Sequence, residues 1–322
     1  MDVHQAQAFL AVAEELHFGR AAARMHMAQP PLSRLIRQIE LELGAQLFER
    51  NTRQVALTPQ GAALLEPARE LVMLARRIPE IVQRAATGEI GRIRLGFAGA
   101  SVNSLVSALA RQVRRDRPGI TLELFSSQFS HLGLERVLDG SLDLVIGRWD
   151  FLPAEVDSRS IGRENLVIAL PESHRLADQE SLTAADLAGE SWIVLPGAGT
   201  ATLPNRLSVL GVKGAFVPRI VQMAPDSSTQ LMLVSVGAGI ALTFSGVREN
   251  LIAPGVIYKP IRPNPMTVEV RLIWRRGDPN PAVPAVVGVS RTVFPDERFP
   301  EERFPEERLP EERERPATNP TT

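Results

Sequence analysis

The chain has 322 residues, with 36 Lys and Arg against 37 Asp and Glu for a formal net charge of -1 at pH 7, enough length for two or three domains with sizeable cores. It has no cysteine, which removes disulfides, thiolate metal sites and cysteine nucleophiles, and its five histidines (His4, His17, His26, His131 and His174) form no pair with metal-ligand spacing. No basic segment followed by an apolar run opens the chain and no stretch reaches about 18 apolar residues, so a cytoplasmic protein without metal or other cofactor is expected.

Residues 4 to 17 read as a first helix with Phe9, Val12, Ala13 and Leu16 on one face, and a short Ala-rich helix follows at about Arg20 to His26. The next helix opens with Pro30 and Pro31, whose fixed φ suits a first helical turn. Its apolar residues Leu32, Leu35, Ile36, Ile39 and Leu43 make one stripe that must be buried, and Gly44 stops it. The opposite face carries Ser33, Arg34, Arg37 and Gln38, side chains able to hydrogen-bond phosphates and base edges in a major groove. From Leu47 to Thr58 apolar and polar residues alternate on either side of Asn51-Thr52-Arg53, a hairpin with Arg50 and Arg53 near its tip. Six arginines in this region (20, 24, 34, 37, 50, 53) face six acids, Asp2, Glu14, Glu15, Glu40, Glu42 and Glu49. With so small a positive surplus one domain should bind nucleic acid weakly, and a dimer on two half-sites would compensate.

Thr58 can cap a long helix with Pro59 at its first position, running to about Ala86 before Gly88. Leu64, Ala68, Leu71, Ala75, Ile78 and Val82 repeat at spacings of 4, 3, 4, 3 and 4, the seam of a helix that pairs with another helix. An ordinary amphipathic helix packed on its own domain would carry a similar stripe, and Pro67 and Pro79 should each bend or loosen a turn.

From Arg92 strands and helices alternate. Arg92 to Phe97 is a strand, Val102 to Arg115 a helix, Ile120 to Phe125 a strand, a helix ends at Gly140, and Leu142 to Gly147 is an apolar strand suited to a sheet covered on both faces. A second unit has strands at Leu166 to Leu170 and Trp192 to Leu195, a glycine-bearing loop, a helix from Asp226 to Val236 and a strand at Ile240 to Phe244. Val268 to Trp274 is a last strand and Pro281 to Val293 a last helix. In such sheets ligands bind beyond the carboxyl ends of the strands, at helix N-termini that favour anions. Ser101, then Ser126, Ser127 and Ser130, then Thr200 and Thr202 follow three of these strands and are the candidate effector-binding donors, for a small anionic molecule.

Several fixed spacings recur together: Ala21-Ala22; Gln29, Pro30 and Ser33; Ile39, Glu40, Leu43, Gly44, Leu47, Phe48 and Arg50; and Leu57, Thr58 and Gly61. They resemble the winged helix-turn-helix of LysR-type transcriptional regulators. Gly140-Ser141-Leu142-Asp143, His174-Arg175-Leu176 (with arginine where the family has proline) and Gly237 and Gly239 resemble more loosely that family's effector domain. The resemblance implies an N-terminal all-α winged helix-turn-helix (1–58), a dimerising linker helix (59–88) and an α/β effector-binding domain (89–293). That domain would hold two Rossmann-like lobes resembling periplasmic binding proteins, lobe 1 at about 92–161 plus 268–293 and lobe 2 at about 162–267. It further implies double-stranded DNA with an inverted-repeat operator as partner, assembly of dimers into a tetramer, and no membrane. Together with the exposed-face argument it gives Gln29, Pro30, Pro31, Ser33, Arg34, Arg37, Arg50 and Arg53 as the DNA-contact set. Ser101 also matches a family ligand position. Gly19 stands where the family often caps its second helix with Ser or Thr. The strings HFGRAA and AQPPLSR, with IRLGF before Gly99-Ala100-Ser101, are most similar to the subgroup that controls aromatic-compound degradation, whose effectors are carboxylated aromatics or ring-cleavage products.

From Phe294 a five-residue Phe/Leu-Pro-Asp/Glu-Glu-Arg unit repeats, and proline at every fifth position with so much charge leaves little to bury. Residues 294–322 are therefore expected to be a disordered acidic tail, either an interaction segment or a repeat expansion without a role. No Gly-x-Ser-x-Gly elbow, Walker loop or zinc spacing occurs, so no catalytic residues are expected. The competing reading is a solute-binding protein or enzyme with a fused helical domain, which a secretion signal would support.

Overall fold

A computed structural model describes residues 1–51, 54–197, 201–263 and 265–295. Arg53, Thr200 and the repeats from residue 296 onward lie outside the described residues, as does the side chain of Arg50.

The N-terminal domain is built on α1 (Val3–Glu15), α2 (Phe18–Arg24), α3 (Gln29–Leu43) and a hairpin of β1 (Phe48–Asn51) and β2 (Gln54–Leu57), paired antiparallel with Phe48 opposite Leu57. Asp2 and Gln5 close a capping box on α1, which fixes where the helix starts. Phe48 joins the wing to the helices: its ring centroid lies 5.5 Å from that of Phe9 and 6.0 Å from that of Phe18. The expected cap at Gly19 is corrected. α2 begins at Phe18, and His17 caps it by accepting the Arg20 N–H at Nδ1, 3.1 Å away. An imidazole nitrogen does there what a hydroxyl would do, and Gly19 lies inside the first turn.

The spacings after α3 have concrete causes. Glu40 accepts the backbone N–H groups of Leu47 and Phe48 at 3.0 and 3.3 Å, tying the end of α3 to the start of the wing. Thr58 caps α4 (Pro59–Ala86) by accepting the Gly61 N–H at 3.0 Å, and its hydroxyl donates to the Gln46 carbonyl at 2.7 Å. Gly61 packs so closely that a Cβ there would stand 2.2 Å from the Leu47 carbonyl oxygen.

α4 runs unbroken through Pro67 and Pro79. Its two halves face different things. Ala68 and Val72 are buried, with Leu64, Leu65 and Leu71 packed beside them on the core of the N-terminal domain. Leu74, Ile78 and Val82 are 57%, 55% and 62% exposed. The first half of the expected seam covers the chain's own core, with Leu64 and Leu71 half-buried, and its second half is exposed. At the far end Gly88 sits at φ +71°, where a Cβ would stand 2.1 Å from the Pro281 carbonyl oxygen.

The rest of the described chain forms two lobes. Lobe 1 holds β3 (Gly91–Phe97), a 3-10 turn at Ala100–Val102, α5 (Asn103–Asp116), β4 (Ile120–Phe125), α6 (Ser130–Leu138), β5 (Leu144–Gly147) and, from the far end of the chain, β11 (Thr267–Arg275) and α10 (Ala282–Val293). β3 lies parallel to β4 and β5, while β11 runs antiparallel to β5. The long strand β6 (Val156–Pro171) pairs with β11 over its first part and with β9 (Ala241–Phe244) and β10 (Val256–Pro260) over its second, so one strand serves both lobes. Lobe 2 adds β7 (Ser191–Val194), α7 (Thr202–Lys213), β8 (Arg219–Met223), α8 (Ser227–Ser235) and α9 (Ser245–Asn250). Each lobe has its own apolar core, around Trp192, Ile168 and Leu170 in lobe 2 and around Ile93, Leu109 and Leu272 in lobe 1. Phe294, the first residue of the repeats, packs against the lobe 1 core, and its carbonyl accepts from Arg159 at 2.5 Å.

Asp143 shows why an acid follows Gly140 at that spacing. It is almost fully buried and receives the Arg94 backbone N–H at 2.7 Å and the Arg94 guanidinium at 2.8 and 3.1 Å. Burial works against its charge, but the hydrogen bonds from Arg94 outweigh it and hold the carboxyl below its ordinary pKa. His174 and Arg175 converge on Glu190, at 3.2 and 2.6 Å, and Arg175 also donates to the Asp186 carbonyl, so the arginine that replaces the family's proline is used structurally.

Candidate functional site

Two places gather residues that the fold leaves unused for packing. The first is α3. Leu32, Ile36 and Ile39 are buried, whereas Gln29, Pro30, Arg34 and Arg37 are exposed and Pro31 and Ser33 half-buried. Ala28 offers no side-chain cap, but Pro30 and Pro31 have no N–H, so the helix start has few donors to satisfy. Charge separates the arginines further. Arg20 and Arg24 are engaged by Glu15 and Glu14 at 3.1 and 2.7 Å, while Arg34 and Arg37 make no ion pair among the described residues. The acids near α3 are also occupied: Glu40 holds the wing, and Glu42 accepts from Gln38 at 2.9 Å and Gln5 at 3.2 Å. What remains outward is a short cationic face flanked by the wing.

The second is a cleft between the lobes. It lies beyond the carboxyl ends of β3, β4, β5, β7 and β9, which deliver Ser101, Phe129 to His131, Arg148, Leu195 with Pro196, and Phe244. Thr202 at the start of α7 and Ser227 at the start of α8 complete the far wall. Of the residues expected from sequence, Ser101, Ser130 and Thr202 line this cleft. The expectation for Ser126 and Ser127 is corrected: both are exposed and outside the lining, and the buried Gln128 beside them donates to the Ser126 carbonyl at 2.9 Å.

The donors are unequal. Ser130 accepts the Arg148 N–H at 3.0 Å and Thr202 donates to the Arg148 carbonyl at 3.3 Å, so both hydroxyls hold the backbone on either side of one arginine. Ser101 makes only a long bond, 3.4 Å, to the Ala98 carbonyl.

Arg148 is the residue that sequence reasoning missed. Its side chain is 2% exposed, its Nη2 donates to Glu164 at 2.5 Å, and its guanidinium lies 3.8 Å over the Phe244 ring. Its Nε and the second oxygen of Glu164 are buried without a hydrogen-bond partner among the described residues. Burial pushes the Glu164 carboxyl above its ordinary pKa, and the neighbouring guanidinium offsets only part of that. The available signal was positional: Arg148 directly follows the apolar strand Leu144–Gly147, as Ser101 closely follows β3. The cleft can therefore take a molecule with an apolar body, packed on Leu195, Leu203, Pro204 and Phe244, and one anionic end near Arg148 and Ser101. No cluster of three or more metal-ligating side chains occurs among the described residues.

Comparison with known proteins joins the two places. Residues 3–62 match the family described as "Bacterial regulatory helix-turn-helix protein, lysR family", and residues 86–295 match "LysR substrate binding domain". The chain is 35% identical over 296 residues to the HTH-type transcriptional regulator ShiR of Corynebacterium glutamicum (strain R), covering 91% of this chain and 99% of that one. It is 32% identical to AlsR of Bacillus subtilis (strain 168), covering 90% and 95%. Full-length CbnR in complex with its target DNA is similar in structure, with a TM-score of 0.68 at 26% identity over 91% of this chain and 99% of CbnR. A winged helix-turn-helix followed by a two-lobed α/β domain, matched over nearly its whole length by regulators and by no enzyme among those named, identifies the chain as a member of the LysR family of DNA-binding transcriptional regulators.

Proposed function

We propose that this regulator binds an inverted-repeat operator through Gln29, Pro30, Pro31, Ser33, Arg34 and Arg37, with Arg50 and Arg53 of the wing, and that a small carboxylate in the interlobe cleft alters that complex. The division of labour is the one expected from sequence: 1–58 on DNA, 59–88 for dimerisation, 89–293 for the effector, and 294–322 as an acidic tail. The observation that carries the DNA reading is that Arg34 and Arg37 make no ion pair among the described residues while Arg20 and Arg24 are held by acids. Arg34→Ala should weaken operator binding by about 1 to 3 kcal/mol if it reads a base, with folding unaffected. An electrophoretic or fluorescence titration across several salt concentrations tests this. Wild-type affinity with an unchanged salt slope would remove Arg34 from the interface.

The effector is proposed to be anionic because the N-termini of α6, α7 and α8 converge on the cleft that also holds Arg148. Its apolar lining suits the aromatic or ring-cleavage carboxylates expected from the sequence strings, and the Hca operon activator HcaR of Escherichia coli (strain K12) and TfdS of Cupriavidus pinatubonensis are among the relatives, at 29% and 34% identity. No helix among the described residues is long and apolar enough to cross a membrane, and a cytoplasmic location is the reading consistent with a DNA partner.

Dimerisation is proposed through the exposed second half of α4. Ile78→Glu should disperse the dimer and reduce operator binding with it, since a charge in an apolar helix pair must be desolvated. Ile78 is preferred over Leu71 because Leu71 packs on the chain's own core. Analytical ultracentrifugation showing wild-type assembly of Ile78→Glu would rule the linker out as the main contact. Pairing of dimers into a tetramer is proposed to use the free sheet edges of the lobes, where Leu124 and Phe125 of β4 and Ile220, Val221 and Met223 of β8 are exposed.

A further inference from the structure

Beside the cleft the lobes are bridged by charge. Asp150, the third residue of the loop after β5 in lobe 1, receives Arg206 of α7 in lobe 2 at 2.9 Å (Nη2 to Oδ1), and Asn205 donates to its other oxygen at 3.4 Å. The start of the same loop touches lobe 2 twice more, through Arg148 over the Phe244 ring and through the Arg148 carbonyl on the Thr202 hydroxyl. Trp149 anchors the loop to lobe 1: its indole N–H donates to the Ser130 carbonyl at 2.7 Å, and its ring lies in a small core with Val137, Leu142 and Ile273. At another side of the cleft the lobes meet by backbone packing, where a Cβ on Gly246 of α9 would stand 2.4 Å from the Ser101 carbonyl oxygen.

We infer that Asp150 and Arg206 form a latch that holds the two lobes together beside the cleft, with residues 148–150 as its rigid arm. β6 runs through both lobes as one continuous strand, which permits a change of interlobe angle without breaking either core. Against that freedom the ion pair is the one charged link between the 148–150 loop and α7 among the described residues. Both partners keep some contact with water, at 21% and 36% side-chain exposure, so the pair can break without leaving a fully buried charge unsatisfied, as a reversible latch requires. α7 also supplies Thr202, Leu203 and Pro204 to the wall of the cleft, so releasing Arg206 frees that wall to move. The latch is a property of the ligand-free chain and stands whatever the cleft binds.

The test uses the full chain without effector. Because the protein has no native cysteine, a cysteine pair at two exposed positions, Ser104 on α5 and Val212 on α7, can be spin-labelled and the interlobe distance distribution measured by pulsed dipolar spectroscopy. Asp150→Asn and Arg206→Gln should each raise the population at longer distances about fivefold, the size set by one partly exposed charge-assisted hydrogen bond. The swapped pair, Asp150→Arg with Arg206→Asp, should return the distribution toward wild type. Thermal unfolding in parallel checks that each variant is folded. Wild-type distributions in both single variants would overturn the latch, and so would an opening that the swapped pair fails to reverse, since that would trace to local packing rather than to the ion pair. If the latch holds but small carboxylates fail to bind, the effector reading falls and the latch stands.

Discussion

Glu164→Gln should not lower the stability of the effector domain, because burial beside Arg148, itself 2% exposed, already favours the uncharged form at this position. The same substitution should tighten binding of a simple aromatic carboxylate such as benzoate by about tenfold or more, since the anion would supply the charge that Glu164 no longer does. pH dependence follows with a defined sign. The folded state holds the Glu164 proton more tightly than the unfolded chain does, because burial raises its pKa. This group alone therefore removes stability as pH rises from the unfolded carboxylate value through the raised folded one. Benzoate affinity in the wild type should rise as pH falls through that window, and Glu164→Gln should flatten the profile. Denaturant titrations with and without ligand measure both effects. A loss of stability would mean that the charged carboxylate is required beside Arg148, and unchanged affinity would mean that Glu164 does not compete with a bound anion.

Gly61→Ala should unfasten the wing from the linker helix. The added Cβ would lie 2.2 Å from the Leu47 carbonyl oxygen and 2.9 Å from Leu57 Cδ2, and the first of these is backbone that also accepts the Thr58 N–H at 3.0 Å. Either α4 shifts outward or the wing does, and Thr58 then loses its bonds to Gln46 and Gly61. A cost of about 3 kcal/mol is expected, at the upper end for overpacking because the obstacle cannot rotate away. Operator binding should fall with it, while binding of small anions to the effector domain is unchanged. A wild-type melting profile and operator affinity for Gly61→Ala would show that the close approach does not constrain the domain.

The N-terminal domain is legible in the sequence because its motifs are side chains with backbone tasks. Glu40 bonds two N–H groups of the wing, Thr58 caps and staples, and Gly44 takes the left-handed turn at φ +67°. Each task needs one residue type at one spacing. The strands β5 and β9 are legible because burial on both faces leaves a nearly continuous hydrophobic run, and β3 because its apolar residues Ile93, Leu95 and Phe97 alternate. Lobe 2 is less so. The first part of β6, Val-Asp-Ser-Arg-Ser-Ile-Gly, is mostly half-buried and polar, and β8 is exposed along its whole length, so neither alternates. α7 carries Pro204 and Gly211 within a helix of 12 residues, which hides its periodicity behind breaker signals, so its sequence reads as loop. In the cleft, rules about strand ends point to Ser101, Ser130 and Thr202. Arg148 escapes them because a single arginine after a strand looks like a solvated end, and its burial depends on Phe244 and Glu164, 96 and 16 residues further along the chain.

The contact of Gly88 with Pro281 bears on how regulators of this architecture can be recombined. A chimera that exchanges residues 1–88 for those of a relative inherits a backbone fit to the start of α10, a segment nearly 200 residues away in the chain. Any other residue at 88 would be strained in the left-handed turn and would bring its Cβ to 2.1 Å from the Pro281 carbonyl oxygen. The linker would then leave lobe 1 at a different angle, carrying the operator-reading helices out of register with the effector domain they serve. Transplanted DNA specificity should therefore travel best when the donor also has glycine at that position, or when the junction is placed before it, inside the exposed second half of α4.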